Sequence, residues 1–154
     1  MSDRLTNMAS IFGSVFLLAQ RWQYLGDQFL AADGLTTKQW MLLAVLEKLF
    51  DAPPTMTEAA TAFGTSRQNV KQIALKLEQR GFLKLAPDHA DRRILRLVVT
   101  EQSRQYWTGR VDQDQAYMSS LFLELEDEDL NDFARIIASL CNRVQDLLEP
   151  PTDN

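Results

Sequence analysis

Arg67, Gln68, Asn69, Lys71 and Gln72 crowd into the first half of TSRQNVKQIALKLEQRG, residues 65–81. Guanidinium and ammonium groups pair with phosphate oxygens or the acceptor edge of guanine, while Asn and Gln amides match the N6/N7 edge of adenine. The chemistry open to these side chains is therefore recognition of a nucleic-acid duplex. Helical spacing puts Val70, Ile73, Ala74 and Leu77 on one buried face and leaves Arg67, Gln68, Asn69, Lys71, Gln72 and Lys76 around the rest. A solvated helix face has the same mixture, so this helix alone leaves both readings open.

A second basic group lies at DHADRR, residues 88–93. Arg92 and Arg93 at the end of a long loop can reach a narrow minor groove, whose negative potential attracts guanidinium. Asp91, two residues before Arg93, can hold that side chain extended through an ion-paired hydrogen bond. A surface turn with incidental charges would look the same in isolation.

Charge is not spread evenly. The chain of 154 residues has a formal charge of −5. Residues 65–96 carry eight basic and three acidic side chains, a net +5, against −10 for the remainder. One basic lobe on an acidic protein suits local phosphate binding, with the other faces repelling DNA.

Catalytic and metal chemistry finds little support. The single histidine, His89, sits on the loop tip between Asp88 and Ala90, and Asp88, His89 and Asp91 lack a second ligand cluster. Cys141 falls among apolar positions of the last helix, where a buried, inert thiol is expected. The acidic run 124–129 lacks an EF-hand pattern and reads as a helix N-terminus. Neither a cofactor nor a metal is expected, and the chain is not read as an enzyme.

The elements that must position these groups follow from periodicity and caps. Residues 5–32 read as one long helix ended by Gly34, apolar around much of its circumference. Thr36/Gln39, Thr55/Glu58 and Thr65/Gln68 each have capping-box spacing and open three further helices. Ala60, Gly64, Val70 and Ile73 have the spacing of a helix-turn-helix, with Gly64 at its turn. FLKL (82–85) and ILRLVVT (94–100) bracket a hairpin with an eight-residue tip, 86–93, which Pro87 should keep out of the ladder. Glu101 to about Leu123 reads as one helix and 127–148 as the last. In the last, Leu130, Phe133, Ile137, Leu140, Val144 and Leu147 step by three and four, the seam of helices that coil together.

Both chain ends are thus longer and more apolar than a lone helix requires. Ile11, Phe12 and Val15 at one end, and the seam at the other, would be covered by each other and by a second copy. IFGSVFLLA (11–19) lacks a positive leading region, because Asp3 offsets Arg4, and no run reaches the length of a membrane span. A cytoplasmic protein without membrane contact is expected, with a frayed tail in PPTDN, residues 150–154.

The order of helices, the basic helix SRQNVKQIALKLEQRGFL, the hairpin segment DRRILRLVVT and two long final helices resembles the MarR family of winged-helix regulators across essentially the whole chain. The resemblance implies a homodimer, built from residues 5–32 and 101–149, that binds a pseudo-palindromic operator in double-stranded DNA through the lobe 36–100. It implies further that Ser66, Arg67, Gln68, Asn69, Lys71 and Gln72 enter the major groove, behind Thr65, and that Asp91, Arg92 and Arg93 form the wing. Thr36, Thr37 and Lys38 would face phosphate at a helix N-terminus. A small aromatic or anionic effector would bind near Trp22, Trp40 or Trp107, side chains that core packing also explains. The expected fold class is mainly α: a single-domain winged helix-turn-helix, 1–154, with long N- and C-terminal dimerisation helices. A repressor is the expected activity, with a winged-helix protein-interaction module as the alternative. Leu75 stands out, because it falls away from the apolar stripe on an otherwise polar face. It would pack against the hairpin or a nearby loop, or meet a thymine methyl.

Overall fold

The computed structural model describes residues 3–148, and the tail at 150–154 lies outside them. The chain divides into two compact units, Met1–Gly109 and Arg110–Asn154.

The first unit opens with α1 (Asp3–Phe29), followed by a 3-10 turn, Ala31–Asp33, that ends on Gly34 in the left-handed region at φ 65°. The helices α2 (Thr37–Lys48) and α3 (Met56–Phe63) carry the reciprocal capping boxes of Thr36 with Gln39 and Thr55 with Glu58. The third box does not form. The next helix, α4 (Arg67–Gln79), starts one residue later than expected, on Ser66, whose Oγ accepts from the Asn69 N–H at 3.2 Å. The shift follows from the turn before it. Gly64, at φ 68°, closes α3, and the Thr65 N–H donates to the Ala60 carbonyl at 3.1 Å. Thr65 is therefore part of the turn, and Ser66 is the first residue left to cap. The Thr65 hydroxyl instead accepts from Asn69 Nδ2 at 2.9 Å.

The hairpin pairs β1 (Leu83–Pro87) with β2 (Leu95–Val99) in antiparallel register, from Leu83 opposite Val99 to Pro87 opposite Leu95. Pro87 thus belongs to the ladder, contrary to the expectation that it stays out. The Asp88 N–H donates to the Ile94 carbonyl at 2.8 Å, so the Pro87 pair falls between hydrogen-bonded pairs and its missing N–H removes no ladder bond. Pro54 lends its carbonyl to the Leu97 N–H at 2.9 Å, which ties the loop before α3 to β2.

Packing is concentrated in this lobe. Leu42, Leu43 and Leu46 of α2, Ala59 and Ala60 of α3, and Val70, Ile73, Ala74 and Leu77 of α4 bury one common core, closed by Phe82, Leu83 and Leu97 of the hairpin. Ala60 is buried in the core that α3 and α4 share, and Gly64 supplies the turn between them at φ 68°, as the spacing predicts. The long α1 buries only Gly26, where a Cβ would come within 2.5 Å of Thr37 Oγ1.

The single helix expected over 101–123 is two: α5 (Glu101–Gly109), and α6 (Val111–Leu121) after Arg110 at φ −122°. Glycine is a poor helix former, costing about 1 kcal/mol against alanine in a helix interior, and the break follows Gly109. The second unit holds α6 and α7 (Asp127–Leu148), neither with a buried residue. Cys141 is exposed, not buried as expected, on a helix that holds no buried residue.

The cap at Ser66 can be checked by denaturant unfolding. Ser66→Ala should cost about 1 kcal/mol, while Gln68→Ala, which breaks no capping bond, should stay within roughly 0.5 kcal/mol of wild type.

Candidate nucleic-acid interface

Burial of Val70, Ile73, Ala74 and Leu77 turns Arg67, Gln68, Lys71, Gln72, Leu75 and Lys76 outward. Arg67, Lys71 and Lys76 make no ion pair among the described residues. Asn69 differs from its neighbours. It is half-buried, and its amide nitrogen is engaged by Thr65, so less of it can read a base edge. Ser66 is exposed, but its oxygen caps α4.

Two of the basic side chains brace the lobe. The Arg80 guanidinium donates to the carbonyls of Gly34 and, at 2.7 Å, Asp33, fastening the end of α4 to the turn between α1 and α2. Arg96 donates to the Asp88 carboxylate and, at 2.8 Å, to the Pro53 carbonyl. Asp88 also accepts from the N–H groups of Ala90 (2.8 Å) and Asp91 (3.1 Å), and so shapes the hairpin tip from its first residue. The Arg96 hydrogen bond, helped by those two N–H groups, holds the Asp88 carboxyl down to about 2. The same contact raises the Arg96 guanidinium.

At the tip, the Arg93 backbone N–H donates to Asp91 Oδ1 at 3.0 Å, and Arg93 Nε lies 3.6 Å from the same oxygen. The Arg93 side chain is 94% exposed, so this contact steers it without withdrawing it from solvent. Arg92 and His89 are exposed beside it. No group of three or more His, Cys, Asp or Glu side chains among the described residues is arranged to hold a metal ion.

The trio at the head of α2 is not equally available to phosphate. The Thr37 N–H donates to Asp27 Oδ1 at 2.7 Å and its hydroxyl to the Gln23 carbonyl at 2.9 Å, while Thr36 is tied into its capping box. A carboxylate from α1 already stands where an anion would approach. Thr37 thus joins α2 to α1, Thr36 caps α2, and Lys38 is exposed.

Trp40 and Trp107 come together, with ring centroids 5.3 Å apart, and Tyr106 stands edge-on to Trp107 at 5.7 Å. Both tryptophans pack against the core, yet their buried Nε1 atoms and the Ser103 hydroxyl lack hydrogen-bond partners among the described residues. Trp22 is half-buried on α1. Ile11, Phe12 and Val15 on α1 are exposed, as are Leu140, Val144 and Leu147 on α7, while Leu130, Phe133 and Ile137 are half-buried.

Sequence reasoning missed the bracing roles of Asp88, Arg96 and Arg80. Asp88 had a local signal, since an aspartate opening a loop commonly accepts from N–H groups two and three residues on. Arg80 and Arg96 had none, because their carbonyl partners lie more than forty residues away.

A sequence profile described as the MarR family matches residues 33–94. The transcriptional activatory protein BadR of Rhodopseudomonas palustris is 28% identical over 103 residues, 63% of this chain and 56% of BadR. The chain thus matches little more than half of that relative's length. The transcriptional repressor MprA of Escherichia coli K12 is 26% identical over 121 residues, 79% of this chain and 69% of MprA. Among solved structures, a MarR/EmrR family transcriptional regulator from Acinetobacter sp. ADP1 superposes with a TM-score of 0.78 at 16% identity, covering 90% of this chain and 96% of that one. That likeness is one of fold, a winged helix-turn-helix within a mainly helical chain.

Asp88 generates a pH prediction. A carboxyl held near 2 when folded and near 4 when unfolded adds stability above pH 4 and loses that contribution as pH falls toward 2. Asp88→Asn should melt below wild type at pH 6, and the difference in melting temperature should close between about pH 4 and pH 2.

Proposed function

The chain belongs to the MarR family and is a transcriptional regulator, not an enzyme; from that premise we propose that it acts as a homodimeric repressor on a pseudo-palindromic operator. The observation that carries the reading is the outward face of α4. Its cations are left unpaired by the lobe's own carboxylates, beside a wing tip that carries Arg92 and Arg93. In this reading Arg67, Gln68, Lys71 and Gln72 enter the major groove, Arg93 enters the minor groove, and Lys38 meets a phosphate. The repressor assignment follows the match to MprA, which is longer than that to BadR.

Exposed apolar side chains on α1 and α7 support the dimer. Phe12 is 68% exposed and Val144 54% exposed in the single chain, and a second copy is the cover that two-fold symmetry supplies. An effector with acceptor groups and an aromatic ring suits Trp40 and Trp107, whose buried indole N–H groups would find partners in it. Action on DNA places the protein in the cytoplasm, and no helix among the described residues is long and apolar enough to cross a membrane.

Selection of genomic fragments by the full-length protein tests the proposal. A palindromic duplex should be enriched, and its binding should weaken linearly in log–log terms as salt rises. Arg93→Ala should lower affinity about tenfold or more while leaving a dimer in sedimentation equilibrium. Val144→Glu should give monomers whose helix content is kept. Absence of any preferred duplex at low salt, or tight binding indifferent to salt, would count against DNA recognition and favour a protein-interaction module.

A further inference from the structure

Around α4, at about 100° per residue, the direction opposite Val70, Ile73, Ala74 and Leu77 runs along Gln68, Gln72, Leu75 and Gln79. Leu75 therefore stands near the centre of the outward strip, one turn beyond Lys71 and Gln72. It is 40% exposed and takes no part in the core, so the buried side of α4 gives it no packing role.

Its neighbours on that strip are amides, flanked by Lys71 and Lys76, and these groups can bond to base edges and phosphates. A leucine can do neither. The apolar group that a major groove presents on its base edges is the C5-methyl of thymine. From Gln72 to Leu75 the helix rises about 4.5 Å, close to one base-pair step of about 3.4 Å. A helix whose Gln72 reads one base pair therefore carries Leu75 over the next one or two.

We propose that Leu75 is a specificity-determining residue that packs on the C5-methyl of one thymine in each operator half-site. The proposal rests on the DNA-binding reading above and adds a base preference to it. Leu75 would select thymine over cytosine at that position, because cytosine presents an amino group and no methyl there.

The experiment starts from the duplex selected by the wild-type protein. Each thymine is replaced in turn by deoxyuridine, which removes the methyl and leaves Watson–Crick pairing intact. At one thymine per half-site, wild type should lose about fourfold in affinity, the factor expected when one methyl stays in water. Leu75→Ala and Leu75→Gln should bind the thymine and deoxyuridine duplexes equally at that position. Circular dichroism of both variants should match wild type, since the side chain lies outside the core.

Two results would overturn the proposal. Every deoxyuridine substitution could leave the wild type unaffected, or the fourfold loss could persist unchanged in Leu75→Ala. If no duplex is selected at all, the DNA-binding reading fails and this proposal fails with it. That outcome is distinct from a selected duplex whose thymine methyls do not matter.

Discussion

Val70, Ile73, Ala74 and Leu77 have one place to go, the core shared by α2, α3 and the hairpin. Once they are there, helical geometry leaves no freedom in what α4 shows to solvent. Every polar side chain of α4 assigned to the major groove owes its direction to those four apolar ones. The same burial puts Leu75 on the outward strip.

Polar contacts then hold the lobe at the points where packing is thin. Arg80 ties the last turn of α4 to the carbonyls that follow α1, and Arg96 ties the hairpin tip to the loop before α3 through Asp88 and Pro53. Both guanidiniums sit in the basic stretch and count equally toward its charge, yet they serve the fold. Five cations of that stretch remain outward without an ion pair among the described residues: Arg67, Lys71, Lys76, Lys84 and Arg92. Arg93 leans on Asp91 and keeps its exposure. Net charge locates such a lobe, and geometry separates its braces from the groups that can meet phosphate.

The two chain ends obey a different constraint. In α1 and α7 the apolar residues recur regularly enough to define faces, and many of those side chains are exposed. Cys141 shows the consequence most plainly. Its neighbours are apolar, which suggested burial, but burial needs a partner surface as well as an apolar neighbourhood.

By itself, the sequence determined whatever depends on residues a few positions apart. The capping boxes at Thr36 and Thr55, the helix-turn-helix spacing, the span of α7 and the apolar face of α4 are all of this kind, because a helix couples positions three and four apart. Even there, one competing local bond moved a cap from Thr65 to Ser66, and one glycine divided a helix at Arg110. The tertiary structure alone decided contacts between distant segments. It sent Arg80 to Asp33 and Gly34, Arg96 to Pro53, Asp27 to the head of α2, and Trp40 against Trp107. Such pairings depend on how helices pack and how strands register, and no spacing along one segment encodes them.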